Sequence, residues 1–328
     1  MAATIHRGSP STLRRLARVL RRGGLVAVPT ETVYGLAANA LDPTACRRIF
    51  RAKGRPSDDP LIVHVADRPM LERIAESNDA VNLLARAFWP GPLTLVLVRK
   101  PVVSNVVTAG LPSVAVRMPA HPLFRRLLRI CRLPLAAPSA NPFGYISPTT
   151  AAHVRDGLGD QVRHILDGGP CRHGLESTII DLRHPRRPVL LRPGVITPAQ
   201  IQKVLGVPVR ALRRRDVGRV LAPGLRHRHY SPRQPLVLHP RITAAMVARA
   251  EINEAWICFR RPTWAAGRSN VFWLTASGDA RAAGRCLFAL LRRLDRGRWT
   301  CLHAALAPAD GAGTAINDRL RRAAADRP

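Results

Sequence analysis

Residues 51–64 read RAKGRPSDDPLIVH and carry the chain from the end of a predicted helix into an apolar strand. Glycine and proline break the intervening loop, which holds Lys53, Arg55 and two adjacent aspartates. Gly54 permits the backbone bend that would let Lys53 and Arg55 face one anion. The stretch therefore predicts an anion-binding loop at a helix-to-strand junction.

Strands and helices alternate on both sides of this stretch. Apolar runs of strand length lie at 25–28, 61–65, 93–98, 114–117, 135–137, 177–182 and 189–192. Helical spacing is found at 44–51, 69–76, 81–87 and 123–130. Before them, an Arg-rich amphipathic segment favours a first core helix over a transit peptide, with Ser11 or Thr12 as N-cap and Gly23-Gly24 at its end. The alternation predicts a mixed α/β domain over residues 1–208.

A linker and a second, smaller unit are predicted after residue 208. Residues 209–234 are Arg-rich and interrupted by glycine and proline, without a strong amphipathic repeat. The rest, residues 235–328, has strand-like runs at 236–238, 255–259 and 271–274 and helical ones at 280–294 and 315–325. This pattern predicts a small C-terminal α/β domain.

The formal net charge of +31 is carried almost entirely by arginine. Lysine occurs only at positions 53, 100 and 203, and arginine is spread over every region. A preference for arginine codons and a real affinity for RNA both account for this charge, and the sequence leaves both open. No apolar run approaches the roughly 18 residues of a membrane helix. The composition predicts a soluble protein without a membrane anchor.

Cysteine and histidine give no metal or disulfide pattern. The six cysteines contain no C-x-x-C pair, and they are typical of free thiols in a reducing cytoplasm. His227 and His229, beside Tyr230, lack a third ligand. We therefore predict a cytoplasmic protein with no resident metal site.

Four segments place small hydroxyl residues and prolines in turns at strand ends, namely 29–36, 53–59, 138–141 and 174–178. Each alone is more often a buried turn or a helix start, but four together favour a polyphosphate pocket. The chain contains no G-x-x-x-x-G-K-[ST] loop, Gly-rich dinucleotide fingerprint or G-x-S-x-G elbow. Because Lys53 and Arg55 suit charge stabilisation better than proton transfer, the pattern indicates phosphoryl or nucleotidyl chemistry.

Several motifs resemble the YrdC-like threonylcarbamoyl-AMP synthase family. They are GGLVAVPTETVYGLAANALD, KGRPSDDPLIVHV, FWPGPLTLVL, VAVRMPAHP, AAPSANPFGYISPT, GLESTIID and LLRPGVIT. The pair Lys53-x-Arg55 with Ser139-x-Asn141 is specific to that family, and APGLRHRHYSP and GAGTAINDRLRRAA are similar to its two-domain form. The resemblance implies a YrdC-like mixed twisted sheet with surrounding helices.

The resemblance also implies a reaction. L-threonine, bicarbonate and ATP, with Mg²⁺, would give L-threonylcarbamoyladenylate and pyrophosphate. Downstream tRNA threonylcarbamoyl-transferase proteins would use the product to modify the adenosine beside the anticodon of tRNA. Two positioned cations with Mg²⁺ would stabilise the charge that builds on the phosphates.

Site residues follow from the same resemblance. Threonine contacts fall on Thr32, His64, Arg117, the backbone of Ala137, and Ser177, with Arg117 pairing the substrate carboxylate. Nucleotide contacts fall on Arg55, Asp59, Ser113, Ser139, Ser147, Arg192 and Tyr230. Lys53 and Asn141 complete a catalytic set with Arg55 and Ser139. We further predict that the segment Ala222–Pro232 covers the nucleotide pocket as a lid, with an Arg-rich solvated connector as the alternative.

Two other functions are compatible with parts of the sequence. A YrdC-like fold can hold double-stranded RNA without catalysis, since the family has a concave basic face and fold alone does not fix function. The intact four-residue signature argues against that role. Carbamoyl transfer in hydrogenase maturation shares the YrdC-like domain but would require acylphosphatase and zinc-finger modules, which these 328 residues do not contain.

Overall fold

Two β-sheets organise the chain. The computed structural model describes residues 3–212, 222–224 and 229–325. Within these ranges the first sheet consists of β1 (Thr4–His6), β2 (Val26–Val28), β3 (Gly35–Asn39), β4 (Ile62–His64), β5 (Leu93–Val98), β6 (Ser113–Arg117), β7 (Leu135–Ala136), β8 (His164–Leu166), β9 (Thr178–Asp181), β10 (Val189–Arg192) and β11 (Arg210–Ala211).

The first sheet mixes parallel and antiparallel pairs. Its strand order is β1-β8-β2-β3-β7-β4-β6-β5-β9-β10-β11. β4 and β6 run parallel, with His64 opposite Arg117, whereas β5 and β6 run antiparallel. The predicted mixed α/β class is confirmed. β11 pairs with β10, so two residues of the predicted linker extend the first sheet.

Helices cover the first sheet. They are α1 (Pro10–Arg21), α2 (Pro43–Lys53), α3 (Arg68–Ile74), α4 (Asp79–Phe88), α5 (Asn105–Thr108), α6 (Pro122–Cys131), α7 (Ala151–Leu158) and α8 (Pro198–Leu205). Leu13 and Leu16 of α1 pack with Phe124 and Leu127 of α6 in one apolar cluster. A larger cluster contains the apolar faces of α2 and α4. Among the described residues, no helix is long and apolar enough to cross a membrane.

The predicted elements of this domain all occur, but the prediction missed three helices, α5, α7 and α8, and several short strands. α1 begins earlier than expected, because the Ser9 hydroxyl rather than Ser11 or Thr12 caps it and Pro10 fits its first turn. The sequence prediction missed β3, whose residues GLAAN have low strand propensity. It also missed the three-residue strands β1 and β8, which are too short for a clear alternation.

The end of α2 differs from the prediction in a way that matters for function. We expected Lys53 in a loop outside the core, but the helix continues through Lys53 and ends at Gly54, whose φ of 61° is left-handed. Glycine adopts this conformation without steric cost, so it closes the helix and redirects the chain. Lys53 and Arg55 are 4% and 6% exposed. The expectation that these residues lie outside the core was therefore wrong.

The second sheet is entirely parallel. Its described strands are β12 (Leu236–His239), β13 (Glu254–Arg260), β14 (Val271–Thr275) and β15 (Cys301–Ala305), in the order β12-β15-β13-β14. α9 (Ala244–Arg249), a short 3-10 helix (Thr263–Ala265), α10 (Ala280–Asp295) and α11 (Gly311–Ala323) accompany it. The prediction missed β15, although this strand lies between β12 and β13, because CLHAA has no strong strand signal.

Polar and apolar contacts join the two domains. Arg292 of α10, 2% exposed, donates to the carbonyls of Ile146 (2.5 Å) and Ser147 (3.3 Å), and Tyr145 Oη donates to Asp295 (2.6 Å). One apolar cluster contains side chains of both domains, among them Ile146, Leu175, Phe288 and Ile316. A chain truncated after residue 210 would expose these side chains, so tests of the linker require the full chain.

Candidate active site

A cleft lies where the ends of several short strands of the first sheet meet. Its walls include nine of the predicted site residues: Thr32, Arg55, His64, Arg117, Ala137, Ser139, Ser177, Arg192 and Tyr230. His64 and Arg117 are the last residues of the parallel strands β4 and β6, which brings them to the same edge. Distant parts of the sequence thus converge on one site, while the substrate contacts of these residues stay predictions.

Arg117 is anchored by neighbouring groups in the wall. Its Nη1 donates to Thr32 Oγ1 (2.9 Å), its Nη2 to Glu31 Oε1 (2.6 Å) and its Nε to the carbonyl of Gly91 (3.1 Å). A guanidinium has five N–H donors, so these three bonds fix its plane and leave capacity for a carboxylate. This arrangement suits the predicted pairing of Arg117 with an amino-acid carboxylate.

Glu31 is the buried counterion that sequence reasoning missed. Burial disfavours its charge, but Arg117 and the backbone N–H of Ala120 outweigh burial and hold the pKa of Glu31 below its ordinary value. The carboxylate stays ionised and fixes Arg117 in place. A signal was available in the sequence, since Glu31 is a charged residue between two threonines in a strand-end turn.

His64 is a neutral group in the cleft. Burial, followed by the nearby charge of Arg117, lowers the pKa of His64 to about 3. Its ring lies 5.3 Å from that of Phe124, centroid to centroid. Among the described residues, Nδ1 has no hydrogen-bond partner. At physiological pH His64 can therefore donate or accept a hydrogen bond with a ligand but does not add positive charge.

Arg55 is held in the cleft wall by Asp59. The two side chains form a buried ion pair of 2.8 Å, and Arg55 Nε and Nη2 also donate to the carbonyls of Asp59 (3.1 Å) and Pro60 (2.8 Å). Asp59 is fully buried and does not belong to the wall formed by the described residues. Its position makes it a residue that orients Arg55, and its predicted nucleotide contact stays a prediction.

Lys53 and Asn141 support the turn that carries Ser139. Lys53 Nζ donates to the carbonyls of Ser139 (2.5 Å) and Asn141, and Asn141 Nδ2 donates to those of Pro142 and Tyr145 (both 2.8 Å). Burial, followed by the charge of Arg55, holds the pKa of Lys53 well below its ordinary value. Of the four-residue signature, Arg55 and Ser139 line the cleft, whereas Lys53 and Asn141 shape its wall from behind.

Ser113 and Ser147 do not reach the wall that the described residues form. Ser113 begins β6 and Arg117 ends it, so about 13 Å of strand separates them at roughly 3.3 Å per residue. The predicted nucleotide contact of Ser113 stays a prediction. Ser147 is buried and its hydroxyl donates to Glu176 Oε1 (2.6 Å), which makes it a support for a wall residue.

Arg192 connects the first domain to the linker. Its Nη2 donates to Ser177 Oγ (3.2 Å) and its Nη1 to the carbonyl of Pro223 (3.0 Å). Ser177 Oγ also bonds Thr94 Oγ1 (2.7 Å). Because these bonds are buried, Arg192 fixes a described part of the linker against the start of β9.

The described linker residues form part of the cleft wall. Pro223, Gly224, His229 and Tyr230 all line it, and Tyr230 is 1% exposed with a left-handed φ of 67°. Burial, followed by four nearby cations, keeps the pKa of His229 well below its ordinary value, so its ring is neutral. Residues 225–228, including His227 of the predicted histidine pair, lie outside the described residues. These positions suit the predicted lid, whose contact with ATP stays a prediction.

Comparison with protein families gives matches along nearly the whole chain. A family profile described as telomere recombination matches residues 18–194. A second profile, described as the C-terminal domain of threonylcarbamoyl-AMP synthase, matches residues 196–325. The two profiles meet close to the end of β10, which is the last long strand of the first sheet.

Individual relatives match over the same span. A threonylcarbamoyl-AMP synthase of Pyrococcus abyssi is 43% identical over 326 residues, which is 95% of this chain and 93% of that protein. The Bacillus subtilis protein of the same name is 40% identical over 331 residues, covering 96% of this chain and 93% of its own. Both proteins therefore have the two-domain length of this chain.

Solved structures match the fold of both domains together. The crystal structure of Pyrococcus abyssi Sua5 complexed with L-threonine superposes with a TM-score of 0.90 at 39% identity, covering 99% of this chain and 98% of that one. A variant of the same protein, with a histidine and the adjacent tyrosine replaced by alanine, gives a TM-score of 0.89 and covers 98% and 96% of the two chains.

Proposed function

The chain belongs to the threonylcarbamoyl-AMP synthase family, and we propose that its cleft converts L-threonine, bicarbonate and ATP into L-threonylcarbamoyladenylate and pyrophosphate. The observation that carries this proposal is the convergence of Arg117, His64 and Arg55 on one cleft. An anchored cation suited to a carboxylate, a neutral imidazole and a second anchored cation match an amino acid and a nucleotide bound side by side.

The reaction has two balanced steps. The threonine amine and bicarbonate form a carbamate with loss of water, creating a nitrogen–carbon bond. A carbamate oxygen then attacks the α-phosphorus of ATP, a new oxygen–phosphorus bond forms, and the bond to pyrophosphate breaks. No residue needs to become covalently modified, so the work of the chain is to orient the reactants and stabilise charge.

The threonine side of the cleft would bind the carboxylate and the side-chain hydroxyl of the amino acid. Arg117 pairs with its carboxylate, and Thr32 and Ser177 offer hydroxyl groups to its polar atoms. His64, which is neutral, accepts or donates one hydrogen bond without competing for the carboxylate. The backbone of Ala137 closes this side of the cleft. Because Glu31 already holds Arg117 in place, little ordering remains to be done when threonine binds.

The nucleotide side would hold the phosphates between two cations. Arg55, Arg192 and Ser139 line the cleft, and Tyr230 of the linker adds its ring to the same wall. Negative charge develops on the α-phosphoryl oxygens and the leaving pyrophosphate, and fixed guanidinium groups stabilise such charge without reorganising. Lys53 acts in this proposal by holding the Ser139 turn rather than by touching the phosphates.

Mg²⁺ is expected to enter as part of the MgATP substrate. The described residues contain no group of three or more histidine, cysteine or acidic side chains arranged to hold a metal. The carboxylates beside the cleft, those of Glu31, Asp59 and Glu176, are each paired with an arginine. Mg²⁺ often keeps its waters and binds mainly through substrate phosphates. We therefore assign no step to a protein-held ion.

The product would be passed to a tRNA-modifying enzyme. A carbamoyl adenylate is a mixed anhydride that water hydrolyses, so an acceptor protein must consume it soon after release. A cytoplasmic location and a weak affinity for RNA, suggested by the arginine content, stay predictions. The family matches favour catalysis over a purely RNA-binding role.

One assay tests this function directly. The purified chain is incubated with MgATP, L-threonine and bicarbonate, and pyrophosphate release is followed together with the adenylate by mass spectrometry. We expect stoichiometric amounts of both products, and no reaction when threonine is omitted or when bicarbonate is removed by degassing. Pyrophosphate release that does not depend on threonine would contradict the proposal.

Adding one methyl group to the described part of the linker tests whether it acts as a lid over the nucleotide. A Cβ on Gly224 would lie 2.5 Å from Tyr230 Oη and 3.0 Å from Arg192 Nη1. Gly224→Ala should therefore displace Tyr230. We expect ATP affinity to fall by about tenfold or more, the scale for losing one charge-assisted hydrogen bond or for overpacking a buried contact. Titration calorimetry with ATP measures the affinity.

A second glycine provides the matched control. Gly206, at the end of α8, has a φ of 70°, close to the 76° of Gly224, but an added Cβ meets no atom within 4 Å. Gly206→Ala carries the same backbone strain of roughly 1 kcal/mol and should leave ATP affinity unchanged. Equal ATP affinities in the two variants would favour the solvated connector over the lid.

A further inference from the structure

Arg319 of the C-terminal domain is fully buried against the first domain. It lies on α11 and is 0% exposed. Its Nε donates to Glu176 Oε2 (2.8 Å), and its Nη1 donates to the carbonyl of Pro193 (2.8 Å) and to Asp318 (2.9 Å). Two of these three contacts cross the domain boundary.

The groups that Arg319 holds are next to residues of the cleft. Glu176 lines the cleft and directly precedes Ser177, and Pro193 directly follows Arg192. Glu176 also accepts the Ser147 hydroxyl through its other carboxylate oxygen (2.6 Å). One side chain of the C-terminal domain therefore fixes the start of β9 relative to the end of β10.

The same guanidinium lies beside Tyr230. Its central carbon is 5.4 Å from the centroid of the Tyr230 ring, within the range of a cation–π contact. Phe288 of α10 stacks on the same ring with a centroid distance of 5.5 Å, and the His229 N–H donates to the carbonyl of Arg322 on α11 (3.1 Å). The C-terminal domain thus contacts the linker residues of the cleft from several sides.

We propose that Arg319 is a positioning residue through which the C-terminal domain sets the geometry of the nucleotide side of the cleft. This inference rests on the proposed function, because it assumes that Arg192 and Tyr230 face ATP. A buried ion pair adds little net stability compared with apolar residues of the same volume, so its fixed fork geometry is the more specific contribution. On the threonine side, the carboxylate-binding Arg117 is held by Glu31 within the first domain, and only Ser177 adjoins a residue that Arg319 contacts.

The test compares two ligands in variants of the full chain. Arg319→Lys keeps a positive charge but loses the planar fork that reaches both Glu176 and Pro193. We expect calorimetry to give an ATP affinity lower by about tenfold, the scale of one charge-assisted hydrogen bond, and a threonine affinity within about threefold of the unaltered chain. Urea denaturation of each variant reports stability separately.

Asp295→Asn is the matched control. It alters the same domain interface at Tyr145 and at the N–H of Arg233, away from the cleft wall of the described residues. If Arg319 had only a structural role, both variants would lose stability and their ATP affinities would be equal. That result, or an equal loss of ATP and threonine affinity in Arg319→Lys, would overturn the proposal.

A second variant keeps the test decisive if Arg319→Lys does not fold. Arg319→Gln combined with Glu176→Gln removes both charges and so avoids an uncompensated buried carboxylate. The shorter amide is expected to lose contact with the ring of Tyr230 and to lower ATP affinity by about tenfold. Normal ATP affinity in this double variant contradicts the proposal. If the unaltered chain binds both ligands but forms no adenylate, the proposed function fails while these titrations still decide the role of Arg319.

Discussion

Valine in place of threonine is expected to lower pyrophosphate release by up to about 10⁴-fold, because a site built to hydrogen-bond a substrate hydroxyl strongly rejects the isostere that lacks it. Thr32 and Ser177 are 1% and 0% exposed, and both already belong to hydrogen-bonded groups in the wall. Thr32 Oγ1 bonds Thr30 Oγ1 (2.7 Å) and accepts from Arg117, while Ser177 bonds Thr94. A valine methyl group would leave such polar atoms facing an apolar surface.

Serine separates the contribution of the hydroxyl from that of the methyl group. Serine keeps the hydroxyl and loses one methyl, which is worth roughly 10- to 200-fold in a hydrophobic contact. We therefore expect kcat/KM to fall in the order threonine, serine, valine. Ser177→Ala should reduce the preference for threonine over valine. Equal turnover of valine and threonine would exclude this assignment of the cleft.

Arg55→Ala is expected to lower turnover by roughly 10² or more, the scale for losing one preorganised group that stabilises charge in the transition state. The structure adds a second expected effect. Since Arg55 and Asp59 form a buried ion pair, removing Arg55 takes one partner from a buried carboxylate and should reduce the free energy of unfolding by up to about 3–5 kcal/mol. The sequence alone predicts an intact fold, because it places the residue in a loop outside the core.

A double variant and a control separate these two effects. Arg55→Gln with Asp59→Asn removes both charges, so stability should largely recover while turnover stays low. Arg51→Ala changes an exposed arginine in the last turn of α2, four residues before Arg55, and should leave both quantities unchanged. Stopped-flow turnover at saturating substrates and urea denaturation give the two measurements. Normal turnover in the double variant would show that Arg55 contributes only to stability.

Periodicity and turn chemistry predicted most of the first domain. Apolar runs such as Leu93–Val98 carry their own strand signal, and α1 ends next to Gly23-Gly24, as predicted. Prediction failed for β3 and β15, whose small residues form strands only because neighbouring strands supply the hydrogen bonds. These strands are products of tertiary context rather than of local propensity.

The sequence by itself determined the family, the chemistry and the residue types of the cleft. Hydroxyls, arginines and a histidine bring the same hydrogen-bonding groups and, for arginine, the same charge wherever the fold places them. Only the tertiary structure decided which of them face the cleft. Arg55 and Ser139 reach the wall, whereas Lys53 turns back to bond the Ser139 carbonyl and Ser113 lies at the far end of β6.

The contribution of the C-terminal domain was likewise decided only in three dimensions. Arg319 is 143 residues from Glu176 in the chain, and nothing in the local sequence of either residue indicates the other. Their contact arises because burying the apolar faces of α10 and α11 against Leu175 and Ile146 brings α11 onto the strand ends. Burial then requires each charge to find a partner, and that pairing is a property of the folded interface rather than of the sequence alone.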